Sequence, residues 1–247
     1  MPTDINAQNF TSQLTRVFTE NGLSSLLNKE RCEQFYALTV RMLEENEKYN
    51  LTAIKEPDKI ILAHYADCAA IASSFDVGAS LIDVGCGAGF PTLPLAIVRP
   101  DLKIFALDST AKRINYVKET ARLLSLTGVK AEAMRAEDAA KMPEYREKFD
   151  YATARAVAEL RVLAELTLPF VRPGGKLIAM KGKNAEFELT AAKRALAILG
   201  GRDAKSKEIV LKSDTETLSH PIITVQKKER TPATYPRAFA QISKKPL

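Results

Sequence analysis

The chain has three cysteines in 247 residues, Cys32, Cys68 and Cys86, and no two of them form a C-x-x-C pair. A disulfide scaffold and a zinc site are therefore both unexpected, and a reducing, cytoplasmic setting fits best. No apolar run approaches the roughly 18–20 residues that a membrane span needs. The opening stretch, Met1 to Phe10, lacks the basic-then-apolar pattern of a secretory signal. No internal repeat or low-complexity segment stands out. Hydrophobic residues make up 46% and charged residues 27%, which excludes a disordered chain and suits an ordinary globular one. The length allows one α/β domain with an extension. Charge is distributed unevenly: net −4 over residues 1–80, +1 over 81–170 and +9 over 171–247. A basic C-terminal third suits a polyanionic partner, and equally a solvated face.

Against these absences stands one concentrated signal, Leu81-Ile82-Asp83-Val84-Gly85-Cys86-Gly87-Ala88-Gly89-Phe90-Pro91. It reads as a buried strand running into a glycine-rich turn that opens a helix at Leu93–Val98. Glycine at every second position permits backbone conformations that a side chain would block. It also lets a ligand approach the amides of the turn and of the helix start. The dinucleotide pattern G-x-G-x-x-G fails in this register, because its third glycine would fall on Phe90. The observed D-x-G-x-G-x-G is similar to the first motif of class I methyltransferases, which bind S-adenosylmethionine. The next strand, Lys103–Leu107, ends at Asp108. A carboxylate there can accept hydrogen bonds from both ribose hydroxyls of a nucleoside; its alternative role is to cap the following helix, Thr110–Leu124.

Around this centre the chain reads as follows. Helices are predicted at Asn9–Phe18, at Lys29–Lys48 and from Pro57-Asp58 onward, the last with Ile60, Ile61, His64, Cys68, Ile71 and Phe75 inward. His64 reads as a hydrogen-bonded structural histidine in preference to a catalytic one. Strands follow at Leu81–Val84, Lys103–Leu107, Ala131–Arg135, Tyr151–Ala154 and Lys176–Lys181, with helices including Val157–Leu168 between them. Pro173-Gly174-Gly175 reads as the turn into the fifth strand. After a helix at Ala185–Leu199 come strands at Glu208–Leu211 and Ile222–Gln226. Alternating βα units predict a parallel sheet covered on both faces, and the last two strands predict an antiparallel hairpin. The expected fold is α/β: a Rossmann-like, seven-stranded, mostly parallel class I methyltransferase sheet. The expected division is a helical extension over 1–75 and a core with a basic tail over 76–247.

Four segments, in order, resemble the bacterial small-subunit ribosomal RNA guanine-N7 methyltransferases, also called glucose-inhibited division protein B. They are Tyr49-Asn50-Leu51-Thr52-Ala53-Ile54, Asp83 to Pro91, Arg135-Ala136-Glu137, and Ala154-Arg155-Ala156-Val157-Ala158; Lys181-Gly182 and Tyr235-Pro236-Arg237 add to the match. The resemblance implies methyl transfer from S-adenosylmethionine to N7 of a guanine in 16S rRNA of the 30S subunit. It implies cofactor contacts at Gly85, Gly87, Phe90, Asp108, Ser109, Thr110, Ala136, Glu137 and Arg155. Arg155 and Lys181 are candidates for positioning the substrate. Candidate RNA contacts are Lys112, Arg113, Arg135, Lys181, Lys183, Arg237, Lys244 and Lys245. No metal and no membrane association are expected, and a monomer is. After Arg237 the run Ala238-Phe239-Ala240-Gln241-Ile242 replaces the glycine-containing turn usual in the family, and Cys86 and Thr92 replace small residues.

The residues themselves agree with N7 chemistry. Methylation at pyrimidine C5 needs a cysteine nucleophile, and none lies at the end of the fourth or fifth strand. Exocyclic amine methylation commonly uses [DNS]-P-P-[YF] after the fourth strand, where this chain has Thr153-Ala154-Arg155-Ala156. Guanine N7 carries an in-plane lone pair and needs no general base, so none is assigned. Methylation of another substrate, or a non-catalytic nucleotide-binding regulator, are the competing readings.

Overall fold

The structure is a computed structural model and describes residues 5–247. The first four residues of the polar stretch Met1–Phe10, and of the expected extension 1–75, lie outside the described residues. Two capped helices begin the chain. Asn6 accepts from the Asn9 amide to start α1 (Ala7–Glu20), and Asn28 accepts from the Arg31 amide to start α2 (Lys29–Tyr49); such caps satisfy amides that have no partner inside the helix. Asn50 ends α2 in the left-handed conformation, φ 48°. A third helical run follows, made of α3 (Pro57–Ile60), a π-helical segment Ile61–Ala66 and α4 (Asp67–Ala69). Phe10, Phe18, Phe35 and Tyr65 from these helices share one continuous apolar cluster with Leu81 and Ile104 of the sheet.

The sheet has seven strands in the order β3-β2-β1-β4-β5-β7-β6. β1 (Ser80–Val84), β2 (Lys103–Asp108), β3 (Val129–Ala133), β4 (Phe149–Arg155) and β5 (Val171–Met180) run parallel. β7 (Thr217–Lys227) is antiparallel to β5 and to β6 (Gly201–Lys212). Helices α5 (Thr92–Val98) and α6 (Ala111–Leu123) belong to the layer that carries α1–α4. Across the sheet lie the short α7 (Ala136–Ala139), α8 (Leu160–Thr167) and α9 (Ala185–Ile198); α10 (Phe239–Lys244) packs against α8. The parallel order reverses between β1 and β4, so a ligand crevice is expected beyond their carboxyl ends.

Several boundaries differ from the sequence reading, β7 among them, which starts at Thr217 instead of Ile222. β3 starts two residues earlier and stops at Ala133, because its partner β2 stops at Asp108. The predicted helix Val157–Leu168 begins only at Leu160, because Glu159 is extended (φ −61°, ψ 156°) and stands as its N-cap. Pro173-Gly174-Gly175 lies inside β5, at a register shift against β4, instead of preceding the strand. β6 is 12 residues long, not four. Its exposed edge is rich in lysine, which hides the apolar alternation a half-buried strand would show.

Candidate active site

The carboxyl ends of β1 and β2 frame the crevice. Gly85 and Gly87 hold φ 75° and 55°, in the left-handed region that L side chains disfavour. The Gly85 amide donates to the Leu107 carbonyl at 2.7 Å, tying the turn to the neighbouring strand. The Gly87 amide donates to Asp108 Oδ2 at 3.0 Å, and the Thr110 amide to Oδ1 at 2.8 Å. Asp108 thus spans the glycine turn and the start of α6, with Arg113 Nη1 at 3.7 Å.

A cavity of about 280 Å³ opens beside this carboxylate. Six of the nine predicted cofactor positions line it: Gly85, Asp108, Ser109, Thr110, Ala136 and Glu137. Gly87 stands behind them as a donor to Asp108. Arg113 and Arg135, predicted to contact RNA, also line the cavity.

The two remaining predicted cofactor residues are not among its lining. Phe90 is turned into the seam between the sheet and the N-terminal helices, stacked on His64 with centroids 4.4 Å apart. Arg155 lies over the opposite side of that seam, its guanidinium carbon 5.1 Å from the Phe90 centroid. It donates to the Ala63 carbonyl (2.9 Å), to Asp67 Oδ2 (3.1 Å) and to His64 Nδ1 (3.1 Å). His64 Nδ1 also lies 3.1 Å from the Ala63 carbonyl, so its role follows the tautomer: with the proton on Nε2, Nδ1 accepts from Arg155 and Nε2 donates to Thr52 Oγ1 at 2.9 Å. Burial, reinforced by the Arg155 charge, pulls the His64 pKa down to about 4. The segment Tyr49–Ile54 therefore has a local purpose: buried Asn46 clasps the Thr52 backbone with two bonds of 2.9 Å, and Thr52 orients His64. The second Asp67 oxygen is bonded to His220 Nε2 of β7.

Two further candidate RNA contacts, Lys181 and Arg237, are paired within the fold. Lys181 does not reach outward. Its ammonium lies 2.7 Å from Glu188 and 2.5 Å from the Ala158 carbonyl, and so holds the 156–159 loop. Arg237 is bound along its fork to Glu165, a carboxylate with 0% exposure, at 2.9 and 2.6 Å; an acid that deep needs a charged partner. Lys112, Lys183, Lys244 and Lys245 are exposed.

Several contributors escaped the sequence reading. Thr92 donates to Asp83 Oδ2 at 2.6 Å beneath the turn. Asp83 is fully buried, its Oδ1 has no hydrogen-bond partner among the described residues, and burial raises its pKa to about 7. Asp67 follows His64 by one turn on a buried face, a spacing visible in the sequence. His220 and Glu165 had no local signal; each is far in sequence from its partner.

The pattern of the family described as GidB, rRNA small subunit methyltransferase G, matches residues 31–243. Ribosomal RNA small subunit methyltransferase G of Clostridium perfringens (strain 13 / Type A) is 42% identical over 222 residues, covering 89% of this chain and 92% of that protein. The protein of the same name from Leuconostoc mesenteroides is 44% identical over 225 residues, covering 90% and 93%. Among solved structures, an S-adenosylmethionine-dependent O-methyltransferase from Thermotoga maritima superposes with a TM-score of 0.52 at 16% identity, covering 76% of this chain and 72% of that one. M. jannaschii TYW2, solved in complex with AdoMet, gives 0.51 at 18% identity, covering 66% and 74%. At such identities these two speak to the fold, which is the class I methyltransferase fold. By the extent of its match along the sequence, the chain belongs to the rRNA small subunit methyltransferase G family.

Proposed function

We propose that this protein transfers a methyl group from S-adenosylmethionine to N7 of a guanine in the 16S rRNA of the small ribosomal subunit. The observation that carries the reading is the cavity shared by Gly85, Asp108 and Ala136-Glu137, in a chain of this family. The residues fit the cofactor. A recessed carboxylate, Asp108, faces the cavity rim where a ribose diol would be gripped. Beneath the glycine turn, the free oxygen of buried Asp83 suits a cationic ligand group. Gly85, Gly87, Asp108, Ser109, Thr110, Ala136 and Glu137 would hold the cofactor, which when bound supplies an electrophilic methyl group on a sulfonium.

The chain's own task is then alignment and exclusion of water. Guanine N7 brings its lone pair, so no side chain has to remove a proton, and orientation alone can lower the barrier by roughly 7–11 kcal/mol. Arg155, held by Asp67 and His64 over Phe90, acts as a positioning residue that fixes the end of β4 against the N-terminal helices. Lys181 positions the 156–159 loop through Ala158. The basic side chains Lys112, Arg113, Arg135, Lys183, Lys244 and Lys245 would meet RNA phosphates, with the target base turned out of its stack. In this reading the protein works as a cytoplasmic monomer without a metal. Residues 1–75 form an extension packed on the 76–247 core, and the substrate is the 30S particle.

The test is transfer of labelled methyl from the cofactor to 30S subunits lacking the modification, with the modified base mapped. Label on a guanine N7 of 16S rRNA is expected. Label on another atom, or on the ribosomal proteins, overturns the reading. Equal labelling of a short free oligonucleotide removes the 30S preference.

A further inference from the structure

The tail is firmly fixed. Arg146 Nη1 donates to the Tyr235 carbonyl at 2.9 Å. Arg237 grips buried Glu165 with its backbone amide, at 2.9 Å, as well as with its guanidinium, and its Nη1 donates to the Lys245 carbonyl at 3.1 Å. Ile242 is fully buried against Val162 and Leu166 of α8. α10 is therefore held before, within and after its single turn and a half.

Phe239 is the first residue of α10, three positions before Ile242. Positions three apart share a helix face, so the buried Ile242 directs Phe239 to the same side. There Phe239 forms part of the wall of the 280 Å³ cavity, together with Leu166, Ala136 and Val157. The residue is nonetheless 41% exposed. An aromatic side chain, with few rotatable bonds, here lines a cavity that Asp108 also lines.

We propose that Phe239 is a cofactor-contacting residue whose ring covers a face of the adenine base. The proposal rests on the reading of this cavity as the S-adenosylmethionine site. If Asp108 holds the ribose, the base extends from it toward Ala136-Glu137, the wall that Phe239 and Leu166 complete. The base is the one part of this ligand with broad apolar faces, and an aromatic ring is the side chain that stacks on such faces. The run Ala238-Phe239-Ala240 thus gives this chain a base-covering contact from its own tail, where a glycine turn would provide no ring.

Binding of S-adenosylhomocysteine to the full-length protein, without RNA, tests it by calorimetry. Phe239→Ala should weaken affinity on the order of 5- to 100-fold, the range for removing an aromatic platform from a base. Phe239→Trp should retain it. Phe239→Leu keeps apolar volume without a ring face and should also bind more weakly; it decides the matter should the alanine variant fail to fold. Asp108→Ala serves as the reference for the site. Phe239→Ala and Phe239→Leu binding within about twofold of the parent, while Asp108→Ala binds weakly, would overturn the adenine contact alone. Asp108→Ala binding as tightly as the parent would overturn the reading of the cavity, and the Phe239 proposal with it.

Discussion

Arg155 Nη1 lies 3.1 Å from Asp67 Oδ2, and this contact joins the end of β4 to the third helical run. It crosses the seam between the N-terminal helices and the sheet at the edge of the site. Asp67 is 6% exposed in its side chain and Arg155 19%, and Asp67 also receives His220 from β7. Three elements distant in sequence therefore meet on one carboxylate.

Asp67→Ala should destabilise the protein more than a surface change would. It leaves a largely buried guanidinium and an imidazole without their acceptor, a loss on the order of 3 kcal/mol. Urea denaturation should show a lower midpoint with an unchanged slope. A midpoint equal to the parent's would mean that the cluster contributes nothing to the fold.

The two histidines predict opposite pH trends. His64 has a folded pKa of about 4 against 6.5, because burial and then Arg155 disfavour its cation. Its neutral form is the one the fold accepts, so its contribution is complete above pH 6.5 and is lost as pH falls toward 4. The full span is on the order of 3 kcal/mol. His220 is raised: burial alone would lower its pKa, and the Asp67 carboxylate outweighs that. Its contribution is complete below pH 6.5 and fades as pH rises through the raised value. His64→Gln can keep the Thr52 and Arg155 bonds without titrating. Stability measured from pH 4 to 8 should lose its acid slope in that variant, and a parent-like slope would place the titration elsewhere.

Asp83→Asn should separate stability from binding. Burial of Asp83 raises its pKa from 3.8 to about 7, with the Thr92 bond opposing in part. The raised value means that the ionised form is penalised in the fold, so this residue costs stability progressively as pH rises from about 4 to about 7. At pH 8 the asparagine variant should be more stable than the parent and should bind S-adenosylhomocysteine roughly tenfold or more weakly, as expected when a charge-assisted bond is removed. A variant that gains stability with unchanged affinity would remove Asp83 from the ligand's surroundings.

Lys181 and Arg135 should differ in the salt dependence of RNA binding. Lys181 is paired with Glu188 and the Ala158 carbonyl, so Lys181→Met should leave the slope of log affinity against log salt unchanged while lowering turnover. Arg135→Ala should reduce the slope by about 0.7–0.9, the equivalent of one phosphate contact. A reduced slope for Lys181→Met would show that the lysine leaves Glu188 when RNA binds.

What the sequence determined by itself was local and periodic. Glycine spacing after a strand, an acid at the next strand's end and the alternation of apolar segments specify the fold and the Gly85–Asp108 corner, because each depends on neighbours a few residues apart. The tertiary structure alone decided which charges are free. Arg155, Lys181 and Arg237 read in sequence as basic groups facing a ligand or RNA. Each is neutralised by a carboxylate brought in from a distant element: Asp67, Glu188 and Glu165. It also decided that Phe239 reaches the cavity, since a ring in the tail acquires a neighbour only when Arg237 and Ile242 dock on α8. Ion pairing and burial depend on separation in space, and the order of residues along the chain does not encode that separation in any single stretch.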